Sequence, residues 1–194
     1  MKKFMYGICV LILIFACVPI YAITFSDLTE SHWAYNNIMK LTNEGVINGY
    51  QDGTFRPQNM VTYGEFMKLV ICTYIPKSDI IDGDTEHWAY KYVLTAEILE
   101  ILPVNSIRIE DLDKPITRME MVKFLSIMDK NLNQDTIDEN LILDFVDIDH
   151  LMPIYKNYLR RVVAKGYIQG NPDKTFKPES NLTRAEMVTI LTRL

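Results

Sequence analysis

Three short motifs combine a helix-starting signal with an unexpected residue in the next position. They read TYGE at residues 62–65, TRME at 117–120 and TRAE at 183–186. Thr followed three residues later by Glu is a capping box, so each motif predicts the start of a helix. A cation in the first helical turn faces the positive end of the helix dipole, which costs roughly a few tenths of a kcal/mol. Arg118 and Arg184 therefore occupy positions that need a reason beyond helix formation.

The motifs close three repeated units, each of roughly sixty residues. An Asp stands five residues before a His in the first two units, and a Gly stands six residues before a Phe in the first and third. We assign unit 1 to residues 23–78, unit 2 with a polar connector at 131–140 to residues 79–142, and unit 3 to residues 143–194.

Each unit is predicted to form a helix, a loop and a second helix. In unit 1, Ala34, Ile38 and Leu41 recur at helical spacing, and Gly45 marks the end of that helix. The following GYQDGTFRP has Asp-Gly and Pro turn chemistry, and unit 3 repeats it as GNPDKTFKP. A single unit is too small to bury its apolar faces alone. The sequence thus predicts one all-α domain in which three helix-loop-helix units pack as a pseudo-threefold helical bundle.

The N-terminus is a separate element. Lys2 and Lys3 precede an apolar run over residues 4–18, and the small residue Ala22 follows. This pattern is typical of a secretory signal peptide, predicted over residues 1–22 with cleavage after Ala22. Two alternatives remain open. IFAC, ending at Cys17, loosely resembles a lipoprotein box, and the run could stay uncleaved as a membrane anchor because about 20 apolar residues span a bilayer. Export and release across a membrane is the leading interpretation.

Composition and the reactive side chains exclude several classes of function. The chain has 20 basic and 25 acidic residues and a net charge of −5, a poor match to nucleic acid. Cys72 is the one cysteine left after the predicted signal peptide, so no disulfide framework is possible, and its apolar surroundings predict an inert core residue. His32 and His87 lack zinc-site spacing, and the acidic runs lack calcium-loop spacing. We predict no cofactor and no metal.

Four elements, repeated in the same order, carry a resemblance to a known family. An Asp after an aromatic or aliphatic residue, HWA, GYQDGTFRP and TRAE together resemble the S-layer homology module. The resemblance runs from about Phe25 to Leu194 and implies three modules with grooves between neighbours. In this family the grooves hold a secondary cell-wall polysaccharide, often with a pyruvate ketal, and so tether exported proteins without a covalent bond. The family also gives the arginine a reason. Free N–H groups at the helix start would bind an anion, and Arg would add a planar fork for a carboxylate.

The ligand residues of the family carry over unevenly onto this sequence. Unit 1 has Tyr63 in place of the arginine, unit 3 lacks the tryptophan, and the unit 2 loop, ILPVNSIRIEDLDKP, lacks the loop glycine. Each groove is expected to draw on two neighbouring units, and no unit has the full set, so we expect fewer than three working sites. The residues that the resemblance implies for glycan binding are Arg118, Arg184, Asp27, Asp82, Asp147, Trp33, Trp88, Gly49 and Gly170.

Each of these residue types also has a purely structural explanation. The arginines could form salt bridges to the repeat aspartates and so fix one unit to the next. The tryptophans could be core residues, and the aspartates could cap helices or form turns. The glycines could supply a positive φ in the loop. For His32 and His87, helix capping or a surface position is the leading interpretation.

The predicted function is non-covalent anchoring of a secreted protein to the cell wall or cell surface. The expected partner is a wall polysaccharide or a polymer linked to peptidoglycan, and the chain is not expected to be an enzyme. Its sequence carries no G-x-S-x-G elbow, P-loop or Rossmann fingerprint. The alternative is a degenerate scaffold that docks another envelope protein without binding glycan. The losses at Tyr63, in the second loop and at the third tryptophan motivate that alternative.

Overall fold

A computed structural model describes residues 23–81, 86–138 and 140–194, and the predicted signal peptide lies outside them. Over these residues the chain forms α-helices and short 3-10 helices and has no β-strand. The α-helices are α1 (Tyr35–Asn43), α2 (Tyr63–Tyr74), α3 (Tyr90–Ile98), α4 (Arg118–Asn133), α5 (Pro153–Ala164) and α6 (Arg184–Leu191), and the 3-10 helices are Lys77–Asp79 and Ile109–Asp111. The all-α class predicted from the sequence is confirmed.

The closing helix of each unit begins at its capping box. In α2, Thr62 Oγ1 accepts a hydrogen bond from the backbone N–H of Glu65, and a Glu65 carboxylate oxygen accepts one from the N–H of Thr62. The same reciprocal pair starts α4 at Thr117 and α6 at Thr183. The three predicted helix starts are therefore confirmed.

In the first two units a histidine accepts a backbone hydrogen bond just before the opening helix. Nδ1 of His32 accepts the N–H of Ala34 at 3.2 Å before α1, and Nδ1 of His87 accepts the N–H of Ala89 at 3.1 Å before α3. Ala34 and Ala89 are themselves the N-cap residues, and neither helix has a side-chain cap hydrogen bond, so the histidines hold the turn before each helix rather than cap it. The helix α5 instead has Pro153 in its first turn, where the missing N–H would have no intrahelical partner.

The C-terminal ends of the opening helices share one backbone conformation. Gly45 after α1 and Gly166 after α5 have φ values of 72° and 74°, the left-handed region that glycine enters without strain. At the matching position after α3 the chain has Glu100, with φ of 55°. After both α1 and α3, two successive N–H groups return to one carbonyl, that of Leu41 or that of Ala96. The helix ends thus match even where the glycine is absent.

Three buried residues join the units in a closed ring of backbone hydrogen bonds. The N–H of Val61 donates to the carbonyl of Leu182 at 2.8 Å, that of Leu182 to Ile116 at 3.0 Å, and that of Ile116 to Val61 at 2.9 Å. Each residue precedes the closing helix of a different unit, and none is more than 1% exposed. The ring marks a pseudo-threefold axis, and unit 2 takes a place around it equivalent to those of its neighbours.

The polar connector between units 2 and 3 is more ordered than its composition predicts. Helix α4 continues to Asn133, so the first connector residues are helical. Arg161 of α5 forms ion pairs with the buried Asp129 of α4 and with Asp135 of the connector. The Tyr167 hydroxyl donates to Asp129 at 2.7 Å. These buried contacts fix α5 against α4.

Cys72 lies exposed on α2, so the prediction of a core position is wrong. Met67, Val70 and Ile71 take the buried face of this helix. The next residue is turned by about 100° in a helix of 3.6 residues per turn, which places Cys72 outside the buried stripe.

Candidate functional site

Groove 1 is a cavity of about 210 Å³ in which side chains of all three units meet. Unit 1 supplies Phe55 and residues 46–48 of its loop, together with Glu65 on α2. Unit 2 supplies Trp88 and unit 3 supplies Arg184, and apolar side chains of α2 and α6 complete the lining. The prediction that a groove draws on two units is therefore wrong, because this one needs three.

Unit 1 holds the guanidinium of Arg184 by several contacts. Nε donates to the Phe55 carbonyl at 3.0 Å, and Nη2 donates to the Asn48 carbonyl at 3.3 Å. The guanidinium carbon lies 4.7 Å from the centroid of the Phe55 ring and 5.0 Å from that of Tyr50. Nη1 is 4.0 Å from a carboxylate oxygen of Glu65, beyond hydrogen-bond distance. Because a guanidinium has five N–H donors, Arg184 keeps donors for a ligand in the groove.

Groove 2 repeats the arrangement of groove 1, but each part comes from a different unit. Its cavity of about 490 Å³ is lined by the unit 3 loop, residues 168–172, and by α6 with Glu186. Trp33 comes from unit 1 and Arg118 from unit 2. The predicted residues Arg118, Trp33 and Gly170 therefore meet in one groove, as Arg184 and Trp88 meet in the other.

Arg118 is more deeply embedded than Arg184. Nε donates to the Phe176 carbonyl at 2.8 Å and Nη1 to a Glu186 oxygen at 3.0 Å. Its side chain is 9% exposed, against 16% for Arg184. Burial lowers the pKa of the Arg118 guanidinium from its usual value, while the charges of Glu186 and Asp147 act in the opposite direction. Arg118 thus serves as a joint between units as well as a lining residue.

The carboxylates that face the arginines are the capping-box glutamates of the next unit. Glu186 pairs with Arg118, and Glu65 is the nearest acidic partner of Arg184. The alternative that the arginines pair with the repeat aspartates is therefore wrong for Asp27 and Asp147, the two that the structure describes, although the arginines do join one unit to another. One oxygen of each Glu caps its own helix, and the other faces the neighbouring guanidinium.

The first turns of the closing helices offer no free backbone donors to an anion. The N–H groups of Arg184 and Ala185 donate to the carbonyls of Asn59 and Pro57 at 2.9 and 3.0 Å. The equivalent groups of α4 donate to unit 3, and those of α2 donate to unit 2. The third N–H of each helix donates to its capping Thr. The expectation of an anion site built on helix N–H groups is wrong, and the guanidinium forks are the available donors.

Both tryptophans lie at the surface with much of the indole in solvent. Trp33 is 61% exposed and Trp88 is 50% exposed, so the alternative of core residues is wrong. Each indole is paired with the histidine before it, at 5.6 Å between ring centroids. The histidines are themselves held by the N–H groups of Ala34 and Ala89, which orients the indoles at the groove edges.

Asp27 and Asp147 secure the loops rather than line the grooves. The carboxylate of Asp27 accepts the N–H groups of Phe55 and Arg56, each at 2.7 Å. Asp147 makes the equivalent pair of bonds in unit 3 at 2.8 and 2.7 Å. Arg56 has a φ of 57°, a left-handed conformation that these bonds hold in place. The third aspartate, Asp82, lies outside the described residues.

Gly49 and Gly170 are required by a close approach, not by a positive φ. A Cβ on Gly49 would lie 2.2 Å from Cε1 of Phe25, and one on Gly170 would lie 2.3 Å from Cε1 of Phe145. Neither glycine is among the residues with positive φ, so that structural alternative is wrong. The packed Phe holds the loop against the segment that precedes the opening helix. Gly170 also lines groove 2.

The third junction between units, which we term the Tyr63 joint, is filled by an aromatic side chain. Tyr63 stands where the other units have arginine, and its ring packs edge-on against Phe124 with centroids 6.1 Å apart. Burial raises the pKa of the Tyr63 hydroxyl, and so does its hydrogen bond to Glu120. A neutral phenol therefore replaces the cation opposite the capping-box glutamate.

Sequence reasoning missed two cations that line the grooves. Lys68 lines groove 1 and Arg193 lines groove 2. Lys68 follows Glu65 by three residues on the same face of α2. Arg193 lies two residues beyond the end of α6. Helical spacing counted from the capping box would thus have found Lys68 but not Arg193.

Two further properties concern the described ranges alone. In residues 23–81, 86–138 and 140–194, His, Cys, Asp and Glu form no group of three or more that could hold a metal ion. None of the helices in these ranges combines the length and the apolar character needed to cross a membrane.

Comparison with known proteins identifies the class to which this arrangement belongs. The family model of the S-layer homology domain matches residues 24–67 and 144–188, which cover unit 1 up to α2 and most of unit 3. The chain is therefore an S-layer homology domain protein. Unit 2 is not matched, in keeping with its altered loop and its longer α4.

Curated relatives match over most of this chain but over little of their own length. A cellulosome-anchoring protein of Acetivibrio thermocellus is 26% identical over 89% of this chain and 26% of the relative. Cell surface glycoprotein 1 of the same organism is 27% identical over 76% of this chain and 7% of the relative. An amylopullulanase of Thermoanaerobacterium thermosulfurigenes is 27% identical over 87% of this chain and 9% of the relative. The chain thus spans about a quarter or less of the length of these proteins.

Proposed function

We propose that this chain anchors non-covalently to the cell wall by binding an acidic secondary wall polysaccharide in grooves 1 and 2. The observation that carries the proposal is the repeated assembly of the grooves. Each combines a guanidinium from one unit, an exposed indole from a second, and the loop and capping-box glutamate of a third. The same combination occurs twice, each time with the three units in different roles. This repetition favours a function that the assembled domain performs.

The chemistry of both grooves suits a sugar that carries a carboxylate, such as a pyruvate ketal. An exposed indole offers an apolar face on which a sugar ring stacks. A guanidinium donates two parallel hydrogen bonds to a carboxylate, and its apolar surroundings strengthen them. The backbone carbonyls that already hold Arg184 and Arg118 keep each fork oriented before the ligand arrives.

We further propose that unit 2 is a third, divergent S-layer homology module. Its capping box, its place in the hydrogen-bond ring and the bond of His87 before α3 support this assignment. Unit 2 contributes Trp88 to groove 1 and Arg118 to groove 2, so neither groove would be complete without it. The Tyr63 joint is proposed to be structural, which leaves two glycan sites.

The names of the relatives agree with this proposal. Two of them are described as a cellulosome-anchoring protein and a cell surface glycoprotein. The enzyme names belong to proteins of which this chain covers 9% to 19%, and they support no catalytic role for it. Export through a signal peptide at residues 1–22 and a location at the cell wall complete the proposal.

Co-sedimentation with purified cell-wall sacculi tests the proposal. The purified chain is expected to sediment with intact sacculi and to remain in solution after acid extraction of the wall polysaccharide. The double variant Arg118→Lys and Arg184→Lys keeps both charges but loses the bidentate fork, and it is expected to bind more weakly. Equal binding to extracted sacculi would contradict the proposal. Capture of an envelope protein without any binding to sacculi would favour the scaffold alternative.

A further inference from the structure

The arginine of each groove faces a glutamate of opposite charge, so the pair carries no net charge. In groove 2, Arg118 and Glu186 form an ion pair at 3.0 Å. In groove 1, Arg184 and Glu65 stand 4.0 Å apart. Each pair of opposite charges therefore gives little net electrostatic attraction for a ligand that spans the groove. Net attraction for an acidic sugar therefore has to come from another cation.

Groove 1 contains such a cation in Lys68. Its Nζ lies 5.9 Å from the ring centroid of Trp88, so the ammonium stands over the indole at which a sugar would stack. Across the part of the chain that the structure describes, no carboxylate lies within salt-bridge distance of Lys68. The side chain is exposed and can turn towards a ligand.

Groove 2 contains a second cation at a different position. Nη1 of Arg193 donates to the Tyr167 carbonyl at 3.3 Å, and Nη2 donates to Oε1 of Gln169 at 3.4 Å. Both acceptors are neutral, and within residues 140–194 no carboxylate pairs with this guanidinium. Arg193 thus adds a positive charge that nothing nearby cancels.

The two cations do not occupy equivalent positions in their units. Three residues after the capping-box glutamate, α2 has Lys68 where α6 has Thr189. Seven residues after it, α6 leads to Arg193 where α2 has Cys72. Thr189 is committed to structure, because its hydroxyl donates to the Ala185 carbonyl. Each groove thus has one additional cation, Lys68 within α2 and Arg193 just beyond the end of α6.

We infer that Lys68 and Arg193 are specificity-determining residues that make grooves 1 and 2 select sugars carrying a carboxylate over neutral sugars. The inference rests on the proposed function, since it concerns the same grooves. The Tyr63 joint supplies the contrast. At this joint Tyr63 is neutral, and Lys123 stands three residues after Glu120. The charges of Lys123 and Glu120 sum to zero, so the joint has no additional cation.

Calorimetric titration of the full chain tests this inference with two polymers. One is the acidic polysaccharide fraction released from bacterial cell walls, and the other is the same fraction after carbodiimide and borohydride reduction of its carboxylates. The variants are Lys68→Met, Arg193→Met and their combination, since Met keeps the apolar stem. Lys123→Met is the matched control, and Arg193→Lys restores charge without the fork.

The double variant is expected to lose affinity for the acidic polymer by about tenfold or more, the usual effect of removing charge-assisted hydrogen bonds. Its affinity for the reduced polymer should change less than about twofold, and the control should behave as the unaltered chain does. Equal losses for both polymers, or no loss at all, would overturn the inference while leaving wall binding in place. If the unaltered chain binds neither polymer, the proposed function and the inference fail together.

Discussion

The unequal burial of the two groove arginines predicts unequal contributions to stability. Replacing Arg118 by Met removes the hydrogen bond to the buried Phe176 carbonyl and the ion pair with Glu186. Each loss of this kind costs about 1–2 kcal/mol, so we expect the free energy of unfolding to fall by about 2–4 kcal/mol. Replacing Arg184 removes bonds to Phe55 and Asn48 at a more exposed site, and about 1–2 kcal/mol is expected.

A double-mutant cycle isolates the ion pair from the other contacts. Glu186→Gln removes the charge while keeping an acceptor for the capping box. Urea unfolding of Arg118→Met, Glu186→Gln and the double variant should give a coupling free energy of about 1 kcal/mol. The matched cycle with Arg184→Met and Glu65→Gln should give less than about 0.5 kcal/mol, because those charges are 4.0 Å apart and more exposed.

The order of the two coupling energies is the decisive result. A larger coupling for Arg184 and Glu65 than for Arg118 and Glu186 would refute the conclusion that Arg118 holds two units together more strongly than Arg184 does. Equal and near-zero couplings would mean that the backbone carbonyls alone hold both guanidinium groups. Circular dichroism of each variant, recorded before unfolding, checks that the helices remain intact.

Two further predictions concern the backbone that supports the grooves. Partial burial tends to raise the pKa of Asp147, but N–H donors from Phe176 and Lys177 outweigh it and hold the pKa below its usual range. The resulting stability is present above the unfolded-state pKa of about 3.9 and is lost as pH falls through the folded-state pKa. Asp147→Asn should therefore unfold at lower urea concentration at pH 7 and lose less stability on acidification, and an unchanged acid titration would contradict this. Glu100→Gly should raise the free energy of unfolding by about 1 kcal/mol, because Glu100 occupies a left-handed helix end. Gly45→Ala at the equivalent position should lower it, and a stabilising effect there would refute the account of the helix ends.

Local signals in the sequence were sufficient for the helices and for the repeat. The capping boxes of α2, α4 and α6 act within four residues, so their outcome does not depend on distant packing. The histidine bonds before α1 and α3 and the glycines that end α1 and α5 are equally local. These elements were predictable because the residues that form each contact are neighbours in the chain.

The partners of the site residues depend on contacts between units, and the sequence did not reveal them. Nothing near Arg118 in the chain indicates that its acceptors are Phe176 and Glu186, 58 and 68 residues away. The occupied helix N-termini were missed for the same reason, since their acceptors belong to neighbouring units. Lys68 was missed although its spacing is local, because its importance depends on Trp88 from another unit.

The central proposal, that grooves 1 and 2 each bind wall glycan, can be tested with the two tryptophans of the chain. Trp33 lines groove 2 and Trp88 lines groove 1, so each indole N–H signal in an NMR spectrum reports one groove. Titration with the acidic wall polysaccharide should shift both signals, and in Arg184→Met the Trp88 signal should stop responding while Trp33 still shifts. If neither indole shifts under conditions in which the chain sediments with cell walls, the grooves are not the binding sites.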